Sequence, residues 1–245
     1  MKITVLGYQS PAPGPGGAGP GYLLETDKGA ILLDCGSAVY SRLMQYLPIE
    51  KLTAVIMSHY HHDHVCDIPI LQYGVMMATI QKKMDTVFPI YGPTQPAEWA
   101  ERMKYEKYTD LIPFNADSEL EIAGVKVTFL RTDHSVECYA MKITDGIHTI
   151  VYGADSGPET IWGSFVNDCD LFICEGTFTT PLAPSANLGH LTAREAAQLA
   201  AQSNAKQLLI THLSPDIARK EYESDAAAHY HGLWSLAEIG KVIAW

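Results

Sequence analysis

The hydrophobic positions of this chain fall mainly into short β-branched runs, interrupted by a smaller number of helical stripes. Lys2–Gly7 reads as a first strand, and Gly21–Thr26 with Ala30–Asp34 as a hairpin turned at Asp27, Lys28 and Gly29. Thr53–Met57, Phe88–Tyr91, Asp170–Cys174 and Lys206–Thr211 are apolar enough to be buried strands. Glu119–Ile122 pairs with Val125–Arg131 through Ala123 and Gly124, and Tyr139–Thr144 with His148–Tyr152 through Asp145 and Gly146. Helical patterns cover Ser37–Leu47, Asp67–Lys83 (opening near Val65), Pro96–Tyr108, Glu159–Val166 and Ala193–Gln202. For the last of these, Thr192 is a natural N-cap and Glu195 is placed for a capping box. The tail Pro215–His231 reads as largely helical and Lys241–Trp245 as a closing strand. The strand-rich then helical order occurs twice, without a direct sequence repeat.

Composition narrows the class. With 245 residues, 47% of them hydrophobic, the chain can bury a large core, and residues 1–245 read as one domain. Five scattered cysteines with no Cys-x-x-Cys spacing imply reduced thiols in a cytoplasm rather than a disulfide framework. The amino terminus reads as a strand, not a signal peptide, and no apolar run approaches the length of a membrane span. A net charge of −11, from 17 basic and 28 acidic residues, argues against long nucleic acid as a partner. The segment Ser10–Gly21 is built almost entirely of Gly, Pro and Ala, but only one strand precedes it, so it cannot join two domains. It reads as a long loop whose bare backbone can approach a ligand. The methionines Met76, Met77 and Met84 belong either to the core or to a subunit contact.

The chemistry concentrates at Ser58–Asp67, directly after the apolar run Thr53–Met57. In an extended loop His59, His61 and Asp63 would project to one side, while His64 breaks the alternation and faces a second point. Neutral imidazoles with a carboxylate suit a borderline divalent cation such as zinc, and two diverging sets suit two cations.

The spacing His-x-His-x-Asp-His resembles the signature of the metallo-β-lactamase superfamily. That resemblance implies an α/β fold, a four-layer αββα sandwich, and three further ligands from separate strand ends. His134 follows the strand ending at Arg131, Asp155 follows the run Thr149–Gly153, and His212 follows Gln207–Thr211. One cation would then be held by His59, His61 and His134, the other by Asp63, His64 and His212, with Asp155 bridging. The pair is expected to be zinc, with manganese or iron as alternatives. Asp34 matches an aspartate that such proteins keep behind the ligands, where a carboxylate fixes an imidazole tautomer; capping the helix Ser37–Leu47 is the other reading. Asp67 stands either behind the ligands or as a solvated acid of a first helical turn. The Ser10–Gly21 loop is implied to border the site, and relatives commonly form homodimers.

Two further stretches, Asp170–Phe178 with its Cys174, Glu175 and Gly176, and Gly189–Ala196 with its His190, are similar to the ribonuclease-Z-like branch, which includes phosphodiesterases. There a glutamate orients a histidine near the metals, and these would be Glu175 and His190. Together with Asp63 and Asp155 they form the expected catalytic set. The chain departs from transfer-RNA-processing relatives at Cys174, where those carry histidine, and lacks their Arg-Tyr after the His212 motif. The interval between His134 and Asp155 holds one hairpin, with none of the long arm by which those relatives grip RNA. Gripping RNA through several phosphates needs many cationic side chains. The expected activity is therefore hydrolysis of a small phosphodiester, a cyclic nucleotide such as cyclic AMP first, by a water activated between two metals. The alternatives are an RNA 3′-processing endonuclease of the ribonuclease Z type, a thioester or lactone hydrolase, and a non-catalytic metal-binding sensor.

Overall fold

The computed structural model describes residues 1–245. Strands β1 (Lys2–Gly7), β2 (Gly21–Thr26), β3 (Gly29–Leu33), β4 (Ala54–Ile56), β5 (Phe88–Gly92) and β6 (Thr109–Pro113) lie side by side in chain order. The second sheet runs β7 (Glu119–Ile122), β8 (Val125–Arg131), β9 (Tyr139–Thr144), β10 (Thr149–Tyr152), β11 (Leu171–Glu175), β12 (Gln207–Thr211) and β13 (Leu233–Leu236). The chain then returns as β14 (Val242–Ala244), antiparallel beside β1 in the first sheet. Each sheet starts antiparallel and becomes parallel, from β3 to β6 in one and from β10 to β13 in the other. Parallel neighbours need long crossovers, and those crossovers put helices on the outer faces.

Three layers of packing follow. Tyr22, Leu24, Ile31, Leu33 and Ile56 of the first sheet meet Val127, Met141, Ile143, Ile150, Tyr152 and Ile173 of the second. The intervening residues Leu23, Leu32 and Val55 turn outward, against α1 (Val39–Leu43) and α3 (Ile68–Ile80). On the far side Val151, Phe172, Cys174, Leu208 and Ile210 pack against α5 (Ala193–Gln202) and α6 (Arg219–Ala226). The central strands β3, β4, β10, β11 and β12 are thus dry on both faces, which is why they read as unbroken apolar runs, whereas β8 alternates. The result is the expected αββα order. A short turn α2 (His62–Val65) precedes α3, and α4 (Ala97–Glu101) follows β5. No helix is long and apolar enough to cross a membrane, and none of the five cysteines is paired.

Several boundaries differ from the sequence expectation. The helix expected over Ser37–Leu47 shrinks to Val39–Leu43. That expected over Pro96–Tyr108 stops at Glu101, because the chain must turn at Tyr105–Tyr108 to lay down β6, which the sequence reading missed. Glu159–Val166 forms turns instead of a helix; Gly163 sits at φ 52°, a conformation that interrupts any helix. The tail is helical only over Arg219–Ala226, and Leu233–Leu236 is a further strand that polar neighbours had hidden.

The expected cap of α5 is present. The Thr192 hydroxyl accepts from the Glu195 amide, and the Glu195 carboxylate accepts from the Thr192 amide. Thr192→Ala should therefore cost about 1 kcal/mol, read as a lower urea midpoint with an unchanged slope.

Candidate metal centre

The strand ends meet along one edge of the sandwich, where both sheets present the carboxyl ends of their parallel strands. β4 delivers His59 and His61, α2 delivers Asp63 and His64, β8 leads to His134, β10 to Asp155, β11 ends on Glu175, and β12 leads to His212. The turns are tight: Asp34, Ala154 and His212 have φ of 55°, 51° and 60°, in the left-handed region that costs a non-glycine residue energy.

Two separate groups of donors converge, and a third, Asp155 with His190 and His212, overlaps both. His59, His61, His134 and Asp155 have one donor atom each within 4.8 Å of one another, and so do Asp63, His64 and His212. Asp155 lies between them. One of its oxygens is 3.5 Å from Nε2 of both His59 and His134, and the other is 3.2 Å from Nε2 of both His64 and His212. All seven residues expected as ligands are thus in one cluster. Asp63 lies with His64 and His212, as the expected ligand set has it, and does not share a side with His59 and His61 as an extended loop would place it, because α2 begins at His62 and rotates it away.

The imidazoles are oriented from behind. His64 Nδ1 donates to Asp34 Oδ2 at 2.8 Å, His134 Nδ1 donates to the Gly189 carbonyl at 3.0 Å, and His59 Nδ1 is 3.0 Å from the Ser58 hydroxyl, itself a donor to Asp34. His212 Nδ1 donates to Thr177 Oγ1 at 2.8 Å, whose hydroxyl proton goes to Glu175. Four rings therefore turn Nε2 inward with its lone pair available. His61 is reversed, its Nδ1 lying 2.9 Å from His134 Nε2. Gly189 must be glycine: its φ is 75°, and a Cβ there would come within 2.9 Å of the His134 Cα.

Burial, reinforced by neighbouring rings, holds His59 well below the ordinary histidine range and pushes His61 down to about 4. His134 is also lowered, by burial. Burial works against charge on His64 as well, but the carboxylates of Asp155, Asp63 and Asp34 outweigh it and push this ring up. His59 Nε2 and one Asp155 oxygen are buried without a hydrogen-bond partner. Orphaned inward lone pairs beside three buried or half-buried carboxylates fit divalent cations.

Beside this cluster His190 Nδ1 donates to Glu175 at 2.9 Å, and its ring stacks on His212 with centroids 5.3 Å apart. Burial opposes charge on His190, but Glu175 prevails and pushes it up to about 9. Glu175 is fully buried and also accepts from the Ser156 and Leu191 amides. Asp34 does stand behind a ligand, accepting from Ser58, His64 and Tyr152. Asp67 does not: it accepts from the Tyr40 amide and caps α1. The Ser10–Gly21 loop does border the site. The Ser10 hydroxyl donates to Asp63 Oδ2 at 2.9 Å, and a Cβ on Gly19 would lie 2.6 Å from the Asp63 carbonyl oxygen. Ser10, Ser58, Tyr152 and Thr177 were missed by sequence reasoning, since single hydroxyls carry no spacing signal.

Known proteins give the same picture. Residues 30–213 match the family model described as Beta-lactamase superfamily domain. The chain is 38% identical to the "Probable metallo-hydrolase YhfI" of Bacillus subtilis (strain 168) over 242 residues, covering 99% of each. It is 26% identical to a Ribonuclease Z of Picrophilus torridus, covering 87% of this chain and 86% of that one. The crystal structure of YhfI from Bacillus subtilis superposes with a TM-score of 0.94 over 99% of this chain and 98% of that chain. The chain belongs to the metallo-β-lactamase superfamily, in its ribonuclease-Z-like branch.

Proposed function

We propose that this protein is a metal-dependent phosphodiesterase acting on a small substrate, with a cyclic nucleotide such as cyclic AMP as the leading candidate. His59, His61 and His134 would hold one divalent cation, Asp63, His64 and His212 a second, and Asp155 would bridge them; zinc suits these donors best. Bound there, the cations would supply positive charge to the phosphoryl oxygens and lower the pKa of a water to about 7. The observation that carries the reading is the pair of Asp155 oxygens, each facing a separate set of imidazoles, with a carboxylate-held His190 alongside.

The chain's own residues do the rest. Asp34, Thr177, Ser58 and the Gly189 carbonyl keep the rings in one tautomer, so no reorientation is needed during the reaction. In hydrolysis the oxygen of water joins phosphorus and the bond to the ester oxygen breaks. That departing oxygen takes a proton from His190 Nε2, which is free because Nδ1 is engaged by Glu175. Two relatives, a probable metallo-hydrolase and a ribonuclease Z, support hydrolysis and phosphodiester chemistry respectively. The single hairpin of β9 and β10 between His134 and Asp155, and the net charge of −11, favour a small substrate over RNA.

The test is purified protein of measured metal content assayed on cyclic AMP, bis(4-nitrophenyl) phosphate and transfer-RNA precursor. Cleavage of the two small diesters is expected; cleavage of the RNA alone would overturn the choice of substrate. His190→Ala should lower kcat by roughly 100-fold while metal content stays at the wild-type value. Loss of metal in that variant would assign His190 to the cation shell instead.

A further inference from the structure

His190 forms one wall of a cavity of about 260 Å³ beside the metal cluster. Pro158, Phe178, Pro184 and Leu188 contribute its apolar surface, with Phe178 set edge-on to the His190 ring at 6.3 Å between centroids. No lysine or arginine lines it. Its polar side chains are largely committed elsewhere: Thr192 and Glu195 hold one another in the cap of α5, and Asn187 is spent on Asp133 and the Gly189 amide. Arg194, the nearby cation on α5, turns to Asp225 instead.

The ester oxygen that takes the His190 proton carries the leaving group with it, so that group must sit against this ring. We propose that the cavity receives the leaving group and selects one that is flat and uncharged, such as an aryl ring or the base and sugar of a nucleoside, over one bearing a further phosphate. A planar apolar group gains contact with Phe178 and Leu188. An additional anion would lose water and meet no countercharge beyond the His190 ring, whose charge Glu175 already balances, and would face the Glu195 carboxylate. In a cyclic nucleotide both ester oxygens belong to one ribose, so base and sugar enter together. The inference rests on the phosphodiesterase reading above and specifies which diesters it applies to.

Two aryl phosphodiesters test it, matched in leaving-group pKa, one releasing a neutral nitrophenol and the other a phenol that carries a sulfonate. The neutral one should be cleaved with a kcat/KM about tenfold higher. Leu188 is 52% exposed, so Leu188→Ser should fold normally; it should raise KM for the neutral diester roughly fivefold while kcat changes little. Ala186→Lys, at an exposed position on the same wall, should shrink the preference against the sulfonate several-fold. Equal rates on both diesters, with neither variant altering the ratio, would overturn the assignment of the cavity while leaving the phosphodiesterase reading intact. Failure of the metal-loaded protein to cleave either diester would remove that reading, and this one with it.

Discussion

Replacing Asp155 by alanine should abolish turnover and reduce bound metal below two ions per chain. Its two carboxylate oxygens face one set of imidazoles each, 3.5 Å from His59 and His134 on one side and 3.2 Å from His64 and His212 on the other. Partners one shell further out typically cost roughly 10- to 100-fold in affinity or activity when lost, so a shared donor should cost well beyond that. Asp155→Asn is the sharper variant, because the amide keeps the shape but offers one acceptor oxygen instead of two. It should retain one ion and lose the other. Metal counted by mass spectrometry beside activity decides the matter; two ions retained in the alanine variant would refute the bridge.

The second large effect should fall on stability. Asp34 is fully buried and accepts four hydrogen bonds, from the Ser58 amide at 2.7 Å, the Ser58 hydroxyl at 2.8 Å, His64 Nδ1 at 2.8 Å and the Tyr152 hydroxyl at 2.7 Å. Alanine there strands all four donors in a dry interior, at a cost of about 3–5 kcal/mol. Against a total stability of about 5–15 kcal/mol, that is a large share. Urea unfolding of metal-free protein isolates this loss from any change in metal binding. Asp34→Asn, which retains one acceptor oxygen, should fall between the two; an alanine variant as stable as the parent would show that water fills the gap.

The sequence carried the ligand set because four of its seven members sit in a dense histidine motif and the other three just past an apolar run, and strand ends are where such folds assemble sites. It also carried the α5 cap, since a capping box is a purely local pattern. What stayed hidden was non-local. Thr177 and Tyr152 acquire their roles only when β11 and β10 bring them beneath His212 and Asp34. Left-handed backbone at Asp34 and His212 leaves no mark on composition, because tertiary packing imposes it. The strands β6 and β13 were missed for a related reason. They are edge strands with one buried residue each, and pairing rather than sequence defines them. Asp63 joins His64 and His212, as the ligand set has it, rather than projecting with His59 and His61, because alternation holds only while the backbone is extended and the chain coils at His62.

The first sheet supplies His59, His61, Asp63 and His64, while the second supplies His134, Asp155, His190 and His212. Neither half of the chain owns a complete set of donors, so the reactive centre is a property of their junction. Mutational drift in the apolar layer between the halves is consequently policed by hydrolysis itself: a core change that slides one sheet a fraction of an ångström past the other would silence the enzyme well before it unfolded the chain.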